Sequence, residues 1–249
     1  MTNAQIFSQY SDQYAKHRPQ YPDELFAYLS SIASGHDAVW DCGTGNGQAA
    51  VTLAKYFSRV EATDISAEQI RHCIVHPQVR YNVSPAEHTS FENASFDLVA
   101  VATAAHWFDL PSFFLEVGRV LKPAGILAVW TYGLATVEPA IDEIIQRELL
   151  EPIDPFWAEG NRMVMNGYRD LSLPFNTLQP PEFSIRLEWT LSQASAYLRT
   201  WSAVKRYSDE VGTDPVERLA AKLTPLWGEA EQVQAVNMPI YLRVSRKGA

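Results

Sequence analysis

The chain has 249 residues, 47% hydrophobic and 20% charged, with a net charge of −9 and no run of Lys or Arg. That is the profile of an ordinary globular protein, and without basic patches to displace counterions it excludes nucleic acid as an expected partner. Met1-Thr2-Asn3-Ala4-Gln5 lacks the basic-then-apolar order of a secretion signal, and no stretch approaches the ~20 apolar residues of a membrane span. Cys42 and Cys73 form neither a disulfide framework nor a CxxC pair, so a cytoplasmic protein without membrane or metal is expected.

Phe7, Tyr10, Tyr14 and the run His17-Arg18-Pro19-Gln20-Tyr21-Pro22 open the chain. Pro22 followed by Asp23 and Glu24 predicts a helix first turn, with Leu25, Leu29 and Ile32 as its apolar face. Val39-Trp40 then leads into Asp41-Cys42-Gly43-Thr44-Gly45-Asn46-Gly47, and Ala50, Leu53, Ala54 and Phe57 follow at helical spacing. The pattern reads as strand, tight turn, helix. Glycines let the chain turn at positive φ and let a ligand lie against the main chain, and the helix start offers unpaired N–H groups.

Spacing narrows the ligand. A dinucleotide fingerprint would need a third glycine at position 48, where Gln48 stands. Asp41, two residues before the first glycine, would repel a pyrophosphate but suits a ligand carrying an ammonium group. A second strand, Val60-Glu61-Ala62-Thr63-Asp64, ends in a carboxylate able to accept hydrogen bonds from both hydroxyls of a ribose. An amino-acid end at the first strand and a ribose at the second describe S-adenosylmethionine.

Ser66 to Gln69 is a capping box opening a helix toward His76-Pro77, and Val79 to Val83 reads as strand three, followed by Ser84-Pro85-Ala86-Glu87. The apolar run Phe96 to Ala102 is strand four, buried on both faces, and Thr103-Ala104-Ala105-His106-Trp107-Phe108-Asp109 leaves its carboxyl end. A helix carrying Phe114, Val117, Val120 and Leu121 reaches the turn Leu121-Lys122-Pro123-Ala124-Gly125, and strand five is Gly125 to Tyr132. Strands alternating with helices predict a parallel sheet with right-handed crossovers. Beyond Tyr132, Ile141, Ile144, Ile145 and Leu149 mark a helix, and Phe183 to Thr190 alternates as strand six. Ala194, Tyr197, Leu198, Trp201 and Val204 form one helical stripe, Asp214-Pro215-Val216-Glu217 opens another helix, and Val236 to Val244 is the last strand.

With its D-x-G-x-G-x-G loop and Asp64, the sequence resembles a class I S-adenosylmethionine-dependent methyltransferase. The lead-in F-x-x-Y and Y-x-x-x-R-P-x-Y-P, the His106-Trp107-Phe108 run and the LKPAG turn are similar to the trans-aconitate methyltransferase-like group, over roughly residues 7 to 130. The resemblance implies a Rossmann-like, doubly wound, seven-stranded α/β sheet, mostly parallel with an antiparallel edge strand. It implies one domain over 1–249, with a core at about 36–132, edge strands near 183–191 and 236–245, and lid insertions at about 133–181 and 192–233. The implied cofactor-binding set is Tyr14, Arg18, Asp41, Gly43, Gly45, Asp64, Ile65, Ala86, Glu87 and Thr103, with Arg18 pairing the methionine carboxylate and Glu87 offering a backbone N–H to the adenine.

Methyl transfer from a sulfonium is an in-line displacement from an activated donor, so the protein supplies position, desolvation and, for a hydroxyl acceptor, a base. His106 is the candidate catalytic residue. The expected acceptor is a small molecule methylated on a carboxylate or hydroxyl oxygen. N- or C-methylation, a Rossmann-type oxidoreductase and a non-catalytic S-adenosylmethionine-binding protein are the alternatives; subunit number is open.

Overall fold

The computed structural model describes residues 19–248, so Tyr14 and Arg18 lie outside the described residues. Helix α1 (Asp23–Ile32) begins after Pro22 and buries Leu25, Phe26 and Leu29. Strand β1 (Ala38–Cys42) is buried throughout, and its period-2 alternation feeds two core layers. Val39 packs with α1 and with Ala50 and Leu53 of α2 (Gln48–Leu53). Ala38, Trp40 and Cys42 pack on the other side with Phe113, Val117 and Val120 of α4 (Leu110–Val120). Between these helices lie β2 (Arg59–Asp64), the short α3 (Ala67–Arg71), β3 (Val79–Val83) and β4 (Phe96–Ala102).

After β5 (Leu121–Tyr132) come α5 (Pro139–Ile145), a π turn over Gln146–Leu150, α6 (Glu151–Ile153) and α7 (Glu159–Met165). Then follow β6 (Asn176–Leu178), β7 (Phe183–Trp189), α8 (Leu191–Arg199), α9 (Ser202–Val211), α10 (Pro215–Trp227) and β8 (Gln234–Arg246). The sheet order is β3-β2-β1-β4-β5-β8-β6, with β7 also paired to β8. Strands β1 to β5 are mutually parallel, and β8 runs antiparallel to β5, β6 and β7. This is a Rossmann-like doubly wound sheet. From β1 the order runs outward to β3 on one side and to β4 on the other, which opens a crevice at the carboxyl ends of β1 and β4. At the opposite end of the same strands, the Asp97 carboxylate accepts the amides of Asp37 and Ala38, each at 3.0 Å, and pairs with Lys122 at 2.9 Å.

Several elements differ from the sequence reading. The sheet is mostly parallel with an antiparallel edge as expected, and it adds a short strand, β6, which at three residues shows no alternation and pairs with β8 beside β7. The helix after Ser66 keeps its cap, with the Ser66 hydroxyl accepting the Gln69 amide at 3.3 Å, but stops at Arg71 well short of Pro77. LKPAG belongs to β5: the register shifts between Phe96 and Leu98, and Ala124 takes φ 59° to make the bend. The single stripe from Ala194 to Val204 is two helices, because Trp201 takes extended backbone between them and the Thr200 hydroxyl bonds the Tyr197 carbonyl at 2.6 Å. Thr190 and Gln193 form a full capping box at the start of α8 that the sequence reading passed over.

Candidate active site

The loop between β1 and α2 turns through three left-handed glycines, Gly43 at φ 72°, Gly45 at 57° and Gly47 at 86°. They are not equivalent. A Cβ on Gly43 would stand 2.5 Å from the Ala104 Cβ, and one on Gly47 would stand 2.3 Å from the Tyr81 hydroxyl, whereas one on Gly45 would meet nothing within 4 Å. Gly43 and Gly47 are therefore required by packing, while Gly45 borders open space above the crevice. The amides of Gly43 and Thr44 both donate to the Thr63 carbonyl at 2.9 Å, tying the loop to the end of β2.

Asp41 lies beneath this loop, fully buried. One carboxylate oxygen accepts the Thr44 hydroxyl at 2.5 Å, and the other, Oδ1, is buried without a partner. Burial pushes its pKa up to about 7, opposed by the Thr44 hydrogen bond and reinforced by the charge of Asp64. The carboxylate thus braces the loop from below. Cys42, beside it, is buried in the core, and burial pushes its thiol well above the ordinary range, as suits a small filler.

Asp64 ends β2 half-buried. Its Oδ2 accepts the Gly45 amide at 2.9 Å and its Oδ1 accepts the Ser66 amide at 2.8 Å. Burial raises its pKa, with the Ser66 and Gly45 amides opposing. Each oxygen keeps a further lone pair for a hydroxyl group. Ile65, next to it, is 66% exposed, and Val83 at the end of β3 is 56% exposed, an apolar surface facing the crevice end of the sheet. Ala86 is buried, and the Glu87 side chain is occupied by the Asp109 amide at 2.9 Å, which joins the β3 exit to the start of α4.

The β4 exit carries backbone strain. Thr103, a β-branched residue, stands at φ 53°. It is held there by its amide on the Trp130 carbonyl at 2.8 Å and by its hydroxyl, which meets the Tyr21 hydroxyl at 2.9 Å and donates to the Thr131 hydroxyl at 3.4 Å. The Thr103 side chain is thus spent on the chain itself. His106 follows in a 3-10 turn, Ala105–Trp107, with its Nδ1 3.0 Å from the Tyr168 hydroxyl. Tyr168 is itself fully buried and left-handed at φ 55°.

The structure therefore gathers Asp41, Gly43, Gly45, Asp64, Ile65, Ala86, Glu87, Thr103 and His106 around one end of the sheet. Sequence reasoning missed Thr44 and the Tyr21 hydroxyl as partners, although both stand inside motifs it singled out, and it takes Tyr168 only as one of the aromatics after Gly133 that suit a substrate pocket or a small satellite core. Among the described residues no His, Cys, Asp or Glu cluster is arranged to hold a metal ion, and no helix is long and apolar enough to cross a membrane.

Comparison with known proteins shows the family of the chain. Residues 40–129 match a family described as a methyltransferase domain. A Dictyostelium discoideum protein described as a methyltransferase is 31% identical over 97% of this chain and 94% of its own length. The chain belongs to the class I S-adenosylmethionine-dependent methyltransferase family. A solved structure from Anaeromyxobacter dehalogenans, described as a type II methyltransferase, superposes on this methyltransferase with TM-score 0.89 at 39% identity, covering 93% of this chain and 99% of that one. The fold alone would not have settled the reaction. At 15% identity and TM-score 0.53 it is also the fold of the [4+2]-cyclase SpnF, covering 100% of this chain and 98% of that one. The crevice fits the family's methyl donor in three respects: the open space over Gly45, the partnerless buried oxygen of Asp41, and the exposed apolar Ile65 beside Asp64.

Proposed function

We propose that this methyltransferase methylates an oxygen of a small hydroxyl- or carboxylate-bearing molecule, with the donor held across the Gly43–Gly47 loop. When bound, S-adenosylmethionine supplies a methyl group already activated on a sulfonium. In this reading the exposed backbone at Gly45 receives the donor, the remaining lone pairs of Asp64 take the ribose hydroxyls, and Ile65 covers one face of the adenine, with Ala86 and the Glu87 amide at its edge. A cationic ligand on the loop would favour the ionised form of Asp41 beneath it, whose pKa burial pushes up to about 7. Tyr14 and Arg18 belong to the same proposal through the trans-aconitate-like lead-in that carries them.

His106 carries the oxygen assignment. Its Nδ1 is fixed by Tyr168, and the tautomer that donates its Nδ1–H to the Tyr168 oxygen keeps the lone pair on Nε2. A hydroxyl acceptor loses its proton to such a base, whereas a carboxylate needs none. The acidic net charge supports a small molecule over nucleic acid. The same reading makes the chain one domain in the cytoplasm, with residues 133–181 and 192–233 forming a lid over the crevice. Screening acids, phenols and amines with methyl-labelled donor tests it. Label on an acid or phenol is expected, with turnover of a phenol reduced at least tenfold in His106→Ala; label only on amines or nucleic acid would overturn it.

A further inference from the structure

The glycine loop is tied to the rest of the chain on two sides. On the β2 side, the Gly43 and Thr44 amides reach the Thr63 carbonyl and the Gly45 amide reaches Asp64. The other side is held by the segment that leaves α3 and by β3. The Cys73 thiol donates to the Gly45 carbonyl at 3.3 Å, sharing its proton with the Gln69 carbonyl at 3.4 Å. The Ile74 amide donates to the Asn46 carbonyl at 3.1 Å. The Tyr81 hydroxyl donates to the Ile74 carbonyl at 2.8 Å, and the same side chain fills the space beside Gly47 where a Cβ would stand. Gly45, Asn46 and Gly47 are thus each held by one unit, in which Tyr81 fixes the segment and the segment fixes the loop.

The composition of the loop is what makes such a unit necessary. Glycine visits left- and right-handed backbone with similar ease, so Gly43, Gly45 and Gly47 leave the loop free unless outside contacts select one conformation. The Gly45 amide is fixed by Asp64 and the Gly45 carbonyl by Cys73, so both peptide units flanking the residue under the open space are set. A site ordered before its ligand arrives binds more tightly than one the ligand must order. Burial, then Asp64 and Asp41, push the Cys73 thiol up to about 12. At neutral pH it therefore keeps the proton it donates and reacts slowly with electrophiles.

We propose that Tyr81 is a positioning residue for the methyl donor, acting through Ile74 and Cys73 to hold Gly45, Asn46 and Gly47 in the conformation the donor meets. It works through the loop backbone. The proposal rests on the donor-site reading above.

The test pairs Tyr81→Phe, which keeps the ring and deletes the hydroxyl, with Tyr56→Phe, which deletes a hydroxyl bonded to Asp23 at 2.7 Å outside the unit. Well below the melting transition, calorimetric titration with S-adenosylhomocysteine should show binding at least threefold weaker in Tyr81→Phe and unchanged in Tyr56→Phe. Labelling with N-ethylmaleimide, read by peptide mass spectrometry, follows the intermediate step. The chain's two cysteines separate local from global release, since Cys42 is buried in the core and labels only on unfolding. In Tyr81→Phe, Cys73 should label at least fivefold faster while Cys42 stays protected. Unchanged affinity in Tyr81→Phe, an equal loss in Tyr56→Phe, an unchanged Cys73 rate, or Cys42 and Cys73 accelerating together would overturn the proposal while leaving the methyltransferase reading intact. Failure of wild type to bind S-adenosylhomocysteine would overturn both.

Discussion

On one side of the crevice, the Gly43–Gly47 loop takes its shape from a handful of adjacent residues: three left-handed glycines, one buried carboxylate and two amides on the Thr63 carbonyl. On the other, the helices from α5 to α10 are placed by contacts between distant positions, such as Arg206 on the Phe156 carbonyl and Trp157 on Trp201. The first region is a conformational requirement that only certain residues satisfy, whereas the second is packing that many residues satisfy. Substitutions in the loop should therefore act through strain and burial on the whole fold, and those in the helices through turnover.

The largest effect is expected at Gly43. Valine there combines a left-handed φ with a side chain that starts 2.5 Å from Ala104, so the loss should be several kcal/mol, read as a collapse of the melting transition. Next comes Asp41. Its native carboxyl is raised to about 7 from 3.8, so the native state holds the proton more tightly than the unfolded chain does. Stability contributed by that proton is present at acid pH and is lost as pH rises from about 4 through 7. Asp41→Asn keeps a neutral group of the same shape, so between pH 5 and 8 the wild-type melting temperature should fall relative to the variant's. Parallel melting curves would show that Asp41 titrates normally.

The smaller effect lies across the crevice. Tyr168→Phe removes the hydroxyl 3.0 Å from His106 Nδ1 and with it the bond that selects the imidazole tautomer. Turnover of a hydroxyl acceptor should drop up to about tenfold, equivalent to ~1.4 kcal/mol, with a displaced pH profile and unchanged donor affinity. A profile identical to wild type would remove Tyr168 from the site.

The same contrast explains what could be read in advance. Strands β1 to β5 and the glycine loop were legible because alternation, positive-φ glycine and capping residues act within a few positions, as the Ser66 and Asp214 caps show. The three-residue β6 and the Tyr168–His106 contact were not, since each is decided by a partner far away in the chain. Within the site, sequence placed Thr103 among the ligand contacts, but it could not show that Tyr21 and Thr131 already engage its hydroxyl.

The central claim is that the open space above Gly45 receives the methyl donor, and Gly45→Val tests it most directly. Its Cβ meets no atom within 4 Å, so the variant should fold with a wild-type circular dichroism spectrum, destabilised by about 1–3 kcal/mol because valine is strained at φ 57°. In calorimetric titration, S-adenosylhomocysteine should bind wild type with one-to-one stoichiometry and bind Gly45→Val at least tenfold more weakly, a difference of about 1.4 kcal/mol or more. Equal affinity in the two proteins, or no binding to wild type, would contradict the account.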